Sequence, residues 1–315
     1  MPGSPHTLWG AEALWQRLEP LLPGLSVEVV ARTDSTNTRL LERCRTAQMA
    51  ERDVRTGECA LPVQARRDAD LKPCLLVAEQ QTAGRGRMGR EWLSARGASL
   101  TFSLALPLSP PDWSGLSLAV GLALAEALEM PPAEPPTAPP SVSSSLSSSL
   151  SSPVSSSAPR IQLKWPNDLW LMDGPGRGRK LGGVLIETVT LAGPQRMCVV
   201  GVGLNIELPR VDAALSQPTA CLRELHPAIT APEALARVAE PLLRALLDFQ
   251  RDGFAPLVAA YARRDLLRGQ PVTTTLPDLP AGVAEGVDLN GALLVRRGGL
   301  HRIVSGEVSV RPGIG

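Results

Sequence analysis

Apolar residues recur along this chain with two different periods, and the switches between them mark out its elements. Residues 7–19 carry apolar positions at helical spacing, which predicts a first helix. Residues 26–32 (SVEVVAR) read as a strand. Asp34-Ser35-Thr36-Asn37 then supplies capping side chains, so a second helix is predicted to start there. Strands follow at 73–80 (PCLLVAEQ) and 98–106 (ASLTFSLAL), the second with clear alternation, and a helix at 114–129. Further strands are predicted at 160–171, 182–190 (GGVLIETVT) and 197–206 (MCVVGVGLNI), and helices at 231–250 and 253–264 close the unit. From residue 268 the pattern becomes short β-prone runs, QPVTTTL, GVAEGVD, GALLVRR and LHRIVSGEVSV, between turn residues. Asn290-Gly291 among them is a strong hairpin signal. The expectation is an α+β domain over 1–267 with a mixed or antiparallel sheet, followed by a small β-barrel over 268–315.

Residues 131–159 break the pattern with Ser/Pro low-complexity sequence. Such a segment cannot bury enough apolar surface to offset its ordering entropy, so a disordered insertion within the first domain is expected. The longest apolar run, Leu116 to Leu128, is interrupted by Glu126 and is too short to cross a bilayer. The N-terminus lacks a basic segment leading into an apolar one, which excludes a secretory signal. Net charge is +1, so no global field favours nucleic acid or an anionic membrane. Five cysteines without a CxxC pair fit a reducing cytoplasm, and three scattered histidines form no metal cluster, so no metal-ligating residue is assigned. Basic residues are nearly all Arg; the lysines are Lys72, Lys164 and Lys180, two of them in one stretch that also carries motifs.

Five short motifs carry candidate chemistry. Gly84-Arg85-Gly86-Arg87-Met88-Gly89-Arg90-Glu91-Trp92 packs three arginines between three glycines. Like charges so close repel unless a polyanion, which Arg grips bidentately, draws them together, and Trp92 can then stack on a purine or a guanidinium; a solvated basic turn or an RNA-binding segment has the same composition. Gly84, Gly86 and Gly89 match a dinucleotide fingerprint, but turn and strand follow rather than a helix, and no acidic residue ends a second strand, so that fold is excluded. In Lys164-Trp165-Pro166-Asn167-Asp168, Pro166 holds Trp165 extended and leaves Asn167 and Asp168 at a strand or turn end. A carboxylate there can orient a phosphate-bound Mg²⁺ or an incoming amine, although a plain turn has the same composition. Lys180 leads through Gly182 and Gly183 into an apolar strand, where an ammonium at the end of an apolar channel can bind a carboxylate and then a phosphoryl group, although an exposed lysine at a strand start reads the same. Gly201 and Gly203 alternate before Asn205, a pattern for close approach of a ligand or a backbone. Asp34-Ser35-Thr36-Asn37 reads first as a helix cap, and the same terminus offers hydroxyls and amides to a small polar head. A polyanion, an apolar tail and a carboxylate together suggest activation of an acid by a nucleotide.

The ordered set DSTN, EQQTAGRGRMGREW, KWPNDL, KLGGVLIE and GVGLNI closely resembles the biotin–protein ligases. GVDLNGALLV and SGEVSV resemble that family's small C-terminal SH3-like domain, so the resemblance spans nearly the whole chain outside 131–159. It implies the class II synthetase-like catalytic fold of biotin and lipoate ligases. It also implies an ATP-dependent enzyme that forms biotinyl-5'-AMP and then biotinylates a lysine of a biotin carboxyl carrier protein domain, with Mg²⁺ as activator. By the same resemblance Ser35, Thr36, Asn37 and Gln81 would hold the ureido head and its surroundings, and Gly183 would line biotin. Arg85, Gly86 and Arg87 would belong to the loop that folds over biotin. Arg87 and Lys180 would stabilise charge during adenylation, and Asp168 would orient the acceptor lysine. Arg90, Trp92, Asn167 and Asn205 would lie along the nucleotide, with the segment after Asn205 to about Leu225 at the position of the adenylate-binding loop. About 30 residues precede the DSTN motif, too few for the DNA-binding domain that some members carry, so a ligase without direct repressor function is expected. The expected partners exclude nucleic acid and membrane, and the expected state is a monomer or weak homodimer. The rival readings are a lipoate–protein ligase or related acyltransferase, a biotinyl-adenylate sensor without catalysis, and a Gly-Arg RNA-binding protein.

Overall fold

The computed structural model describes residues 8–56, 71–129, 158–191, 195–208, 218–304 and 311–312, so most of the Ser/Pro stretch at 131–159 lies outside the described residues. Seven strands form the main sheet in the order β1-β2-β5-β9-β8-β7-β6. They are β1 (Ser26–Thr33), β2 (Cys74–Gln81), β5 (Ser99–Leu108), β6 (Ile161–Lys164), β7 (Asp168–Gly174), β8 (Arg177–Thr190) and β9 (Arg196–Asn205). β1 and β2 run parallel and every other neighbouring pair is antiparallel, so the sheet is mixed. A two-stranded ribbon, β3 (Gly84–Arg85) and β4 (Glu91–Trp92), stands apart from it.

The alternation of β5 and β9 assigns the two faces of the sheet. Leu100, Phe102, Leu104, Val200, Val202 and Leu204 point to one face and are buried in the main core. That face is covered by α3 (Leu116–Glu129) and α4 (Ala231–Asp252), after α1 (Ala11–Leu18) at the start of the chain. α4 opens on a capping box between Thr230 and Glu233, which satisfies two donors of its first turn. α2 (Thr36–Thr56) lies on the other face, where Leu40, Leu41 and Cys44 pack on Leu76, Ala105, Met197 and Val199. It covers only one end of that face. The short helix α5 (Val258–Ala262) leads to the second domain, replacing the longer helix expected at 253–264.

Two expectations change where a hairpin was hidden. The single strand predicted over 160–171 is split into β6 and β7 at the cis Trp165-Pro166 bond, where Pro offers no ladder donor. The strand predicted to begin at 182 begins at Arg177, because Gly176, at φ 68°, closes a tight turn from β7 into β8. Lys180 therefore lies within β8 and does not lead into it.

The second domain is a small antiparallel sheet in the order β13-β12-β11-β10-β14, with β10 (Pro271–Thr273), β11 (Ala281–Val287), β12 (Leu293–Arg297), β13 (Gly299–Ile303) and β14 (Arg311–Pro312). Among the described residues β13 and β14 do not pair, so the sheet is open and not a closed barrel. The predicted Asn290-Gly291 turn docks it on the first domain. Gly291 O accepts a hydrogen bond from Trp165 Nε1 at 3.0 Å, and the turn lies against Gly115.

Candidate active site

The rest of the α2 face is a strip of small and polar residues, the trough, buried beneath the Gly84–Trp92 ribbon and the start of α2. On β5, Ser99, Thr101 and Ser103 point into it, and their β9 partners are Asn205, Gly203 and Gly201. Gly203 in turn pairs with Gly183 on β8, which pairs with Asp168 on β7. Each floor glycine leaves room for a side chain above it. A methyl at Gly203 would run into the Trp92 indole, and one at Gly201 into the Asn37 amide. One at Gly183 would sit 3.3 Å from Asp168 Oδ1 and 3.6 Å from Lys180 Nζ.

A β-bulge brings Lys180 into this set. Residues three apart on a regular strand face opposite sides, so Lys180 and Gly183 should not share a face. Leu169 pairs with Gly182 but Trp170 pairs with Lys180, which leaves Leu181 as the extra residue. The bulge turns Lys180 to the Gly183 side. There its Nζ lies 2.8 Å from Asp168 Oδ1 and 5.9 Å from the centre of the Trp92 ring. Backbone bonds from Lys180 N to Pro218 O and from Ala220 N to Lys180 O hold the bulged residue from its other side.

Arg87, at the tip of the ribbon, feels the charge of the same Asp168. Burial lowers its guanidinium below the usual Arg range, the Asp168 carboxylate opposes that shift, and Arg90 adds to it. The ribbon brings Trp92 down because Gly84 has no side chain to strike the Trp92 carbonyl opposite it. At its tip Met88 and Gly89 both take positive φ, at 57° and 70°. Arg90 is exposed there, and its carbonyl accepts from Gly86 N at 2.7 Å.

The opposite end of the trough is polar. Ser35 caps α2 by accepting from Thr38 N at 3.4 Å. Gln81 Oε1 accepts from Thr36 N at 2.7 Å and from Thr36 Oγ1 at 3.1 Å. Asn37 donates to Leu185 O at 3.2 Å and to Glu187 Oε2 at 2.9 Å, and its Oδ1 accepts from Ser103 Oγ at 2.6 Å. Arg85 meets this end, with its Nη2 2.7 Å from Glu187 Oε2.

The sequence-predicted residues thus fall into groups. Ser35, Thr36, Asn37, Gln81 and Arg85 gather at the polar end, and Arg87, Asp168, Lys180 and Trp92 at the other, with Gly183 beneath. Two others are engaged in holding strands. Asn167 Nδ2 donates to Val184 O at 2.8 Å, and Asn205 Nδ2 donates to Ala220 O at 3.0 Å. Residues 209–217, inside the segment matched to an adenylate-binding loop, lie outside the described residues. Ser103 and Glu187 escaped the sequence reading. The signal for Ser103 was present: polar Ser99, Thr101 and Ser103 at every second position of an otherwise apolar strand.

The mixed sheet with a small antiparallel C-terminal domain has counterparts among known proteins. Residues 66–205 match the model of the biotin/lipoate A/B protein ligase family, and 268–311 match the biotin protein ligase C-terminal domain. The chain is 31% identical over 311 residues to the biotin–[acetyl-CoA-carboxylase] ligase of Mycobacterium tuberculosis, covering 95% of this chain and 90% of that protein. It is 30% identical over 295 residues to the bifunctional ligase/repressor BirA of Escherichia coli, covering 92% and 75%. The biotin protein ligase from Aquifex aeolicus, solved in complex with biotin and ATP, superposes with a TM-score of 0.61 at 25% identity, covering 91% of this chain and 99% of that one. The chain belongs to the biotin protein ligase family.

Proposed function

We propose that this chain joins biotin to ATP, giving biotinyl-5'-AMP and pyrophosphate, and then passes biotin to a lysine of a biotin carboxyl carrier protein domain. One observation carries the reading: Lys180 from the bulge pairs with Asp168, whose charge also acts on Arg87 of the ribbon, at the far end of a trough whose other end is polar. A ligand with a polar head, an apolar middle and a carboxylate matches that order. Ser35, Thr36, Asn37 and Gln81 would take the ureido head and its surroundings, and the chain would lie over Gly183 beneath Arg85, Gly86 and Arg87. Trp92, Arg90, Asn167 and Asn205 would line the nucleotide.

In the first step a carboxylate oxygen attacks the α-phosphorus and pyrophosphate leaves. Arg87 and Lys180 would stabilise the charge that gathers on the phosphoryl oxygens. The incoming carboxylate competes with Asp168 for Lys180. Once Lys180 turns to the ligand, Asp168 is left to accept a hydrogen bond from the acceptor lysine, whose nitrogen attacks the acyl carbon as AMP leaves. Among the described residues no three His, Cys, Asp or Glu gather around one point. Mg²⁺ would therefore arrive with the nucleotide, whose phosphates supply much of its coordination. The four described cysteines are unpaired and buried, which supports a reducing compartment such as the cytoplasm. No helix among the described residues is long and apolar enough to cross a membrane.

The test is incubation with biotin, ATP, Mg²⁺ and a biotin carrier domain, read by the carrier's mass. A gain of one biotin supports the reading. An unchanged carrier, with lipoate and not biotin driving exchange of labelled pyrophosphate into ATP, replaces it with lipoate activation.

A further inference from the structure

Glu187 sits where the two halves of the trough wall meet. It shares a strand and a face with Gly183 and Leu185, and its carboxylate reaches two elements at once. Oε2 accepts from Asn37 Nδ2 at 2.9 Å, while Arg85 Nη2 lies 2.7 Å from Oε2 and 3.1 Å from Oε1. Asn37 is buried at the N-terminus of α2, and Arg85 belongs to the ribbon over the trough. We infer that Glu187 is a positioning residue: it latches the Gly84–Trp92 ribbon to the Asn37 wall and so ties the ribbon's closure to the geometry of the head site. The inference rests on the proposed function only for what the trough holds.

Asn37 is a fixed point for such a latch. Its two donor contacts, to Leu185 O and Glu187, turn the NH₂ group toward β8, and Ser103 donates to its oxygen from the other side. Gly201 leaves no Cβ beneath the amide, so Asn37 sits directly on the sheet. The ribbon, by contrast, pairs only with itself as a sheet among the described residues and needs side chains to seat it. Arg85–Glu187 is a charge-assisted bond between partly exposed side chains, with 42% and 27% of each exposed. A pair of that kind biases an opening equilibrium by a few-fold and weakens in salt.

Glu187→Gln separates the two contacts, because the amide oxygen still accepts from Asn37 while the charge opposite Arg85 is gone. The experiment is amide hydrogen exchange of the full-length, ligand-free protein. Exchange within residues 84–92 should speed about threefold to fivefold, while β5, β9 and the melting temperature stay at wild-type values. Arg85→Gln should do the same, the double variant no more than either, and Glu187→Asp should recover part of the protection. Unchanged exchange, or effects that add in the double variant, overturns the latch. In the same variants biotinyl-adenylate made by the enzyme should dissociate faster by a similar factor, and an unchanged rate overturns the tie to the ligand. A wild-type protein that makes no adenylate refutes the proposed function, and the exchange result still decides the latch.

Discussion

Gly203→Ala tests whether the ribbon is a lid or an ornament. An added Cβ would lie 2.6 Å from Trp92 Cζ2 and 2.9 Å from Trp92 Nε1, against roughly 3.5–4.0 Å for a relaxed contact. The indole must therefore lift by about 1 Å. A fully buried Trp covers roughly 150–250 Å², and the half-buried Trp92 turns at most about half of that to the floor. At about 25 cal/mol per Å² the closed lid loses at most ~3 kcal/mol. Partial reseating brings the expected loss to about 1–2 kcal/mol, or roughly fivefold to thirtyfold in retention of an adenylate. The strand ladder tolerates alanine here, since Gly203 has no positive φ. The melting temperature should then fall by only a few degrees, about what 1 kcal/mol produces in a domain of this size. The assay forms labelled biotinyl-adenylate on the enzyme and follows its release under a chase of unlabelled biotin. Gly203→Ala combined with Trp92→Ala should release it no faster than Trp92→Ala alone. Wild-type release from Gly203→Ala, or additive effects in the pair, would refute the lid geometry.

Three further outcomes follow from named contacts. Lys180→Ala should slow adenylate formation by about 10²–10³-fold with the fold retained by circular dichroism, and near-normal turnover would remove Lys180 from the chemistry. Arg87→Gly should speed adenylate release roughly tenfold to a hundredfold, the range for losing a charge-assisted bond, measured by transfer of biotin to bystander proteins; no rise would exclude Arg87 from the junction. Burial holds the Asp265 carboxyl up at about 6, while its Oδ2 and the nearby Tyr261 hydroxyl are buried without partners. A raised carboxyl means the folded state binds this proton more tightly, so its ionisation costs stability above pH 6, and that cost fades as pH falls toward 4. Asp265→Asn should therefore stabilise the protein by about 1–3 kcal/mol at pH 7.5 and by almost nothing at pH 4, read by urea melts; equal destabilisation at both would contradict the assignment.

Periodicity made the main elements readable, because β5 and β9 each carry an apolar face that only one pairing buries. The motifs were readable for a related reason: glycines in a strand have no packing role, so their spacing reports what lies above them. The hidden parts depend on geometry that spacing does not encode. GPGRGR at 174–179 has the composition of a loop yet forms the turn of a hairpin and the strand ends beside it. The bulge at Leu181, which aims Lys180, is a difference in count between two strands and cannot be read from either one alone. Glu187 was quoted as the end of a strand motif, but its link to Arg85 spans 102 residues of sequence.

The central claim is that Arg87 and Lys180 act on one acid–nucleotide junction. The most direct measurement is a crystal structure with a non-hydrolysable biotinyl-adenylate analogue, read for two distances. The Lys180 ammonium and the Arg87 guanidinium should both come within hydrogen-bond reach of the linkage between the acyl carbon and the phosphorus, with Lys180 released from Asp168. Lys180 still paired with Asp168, or the two cations bound to separate parts of the ligand, would contradict it.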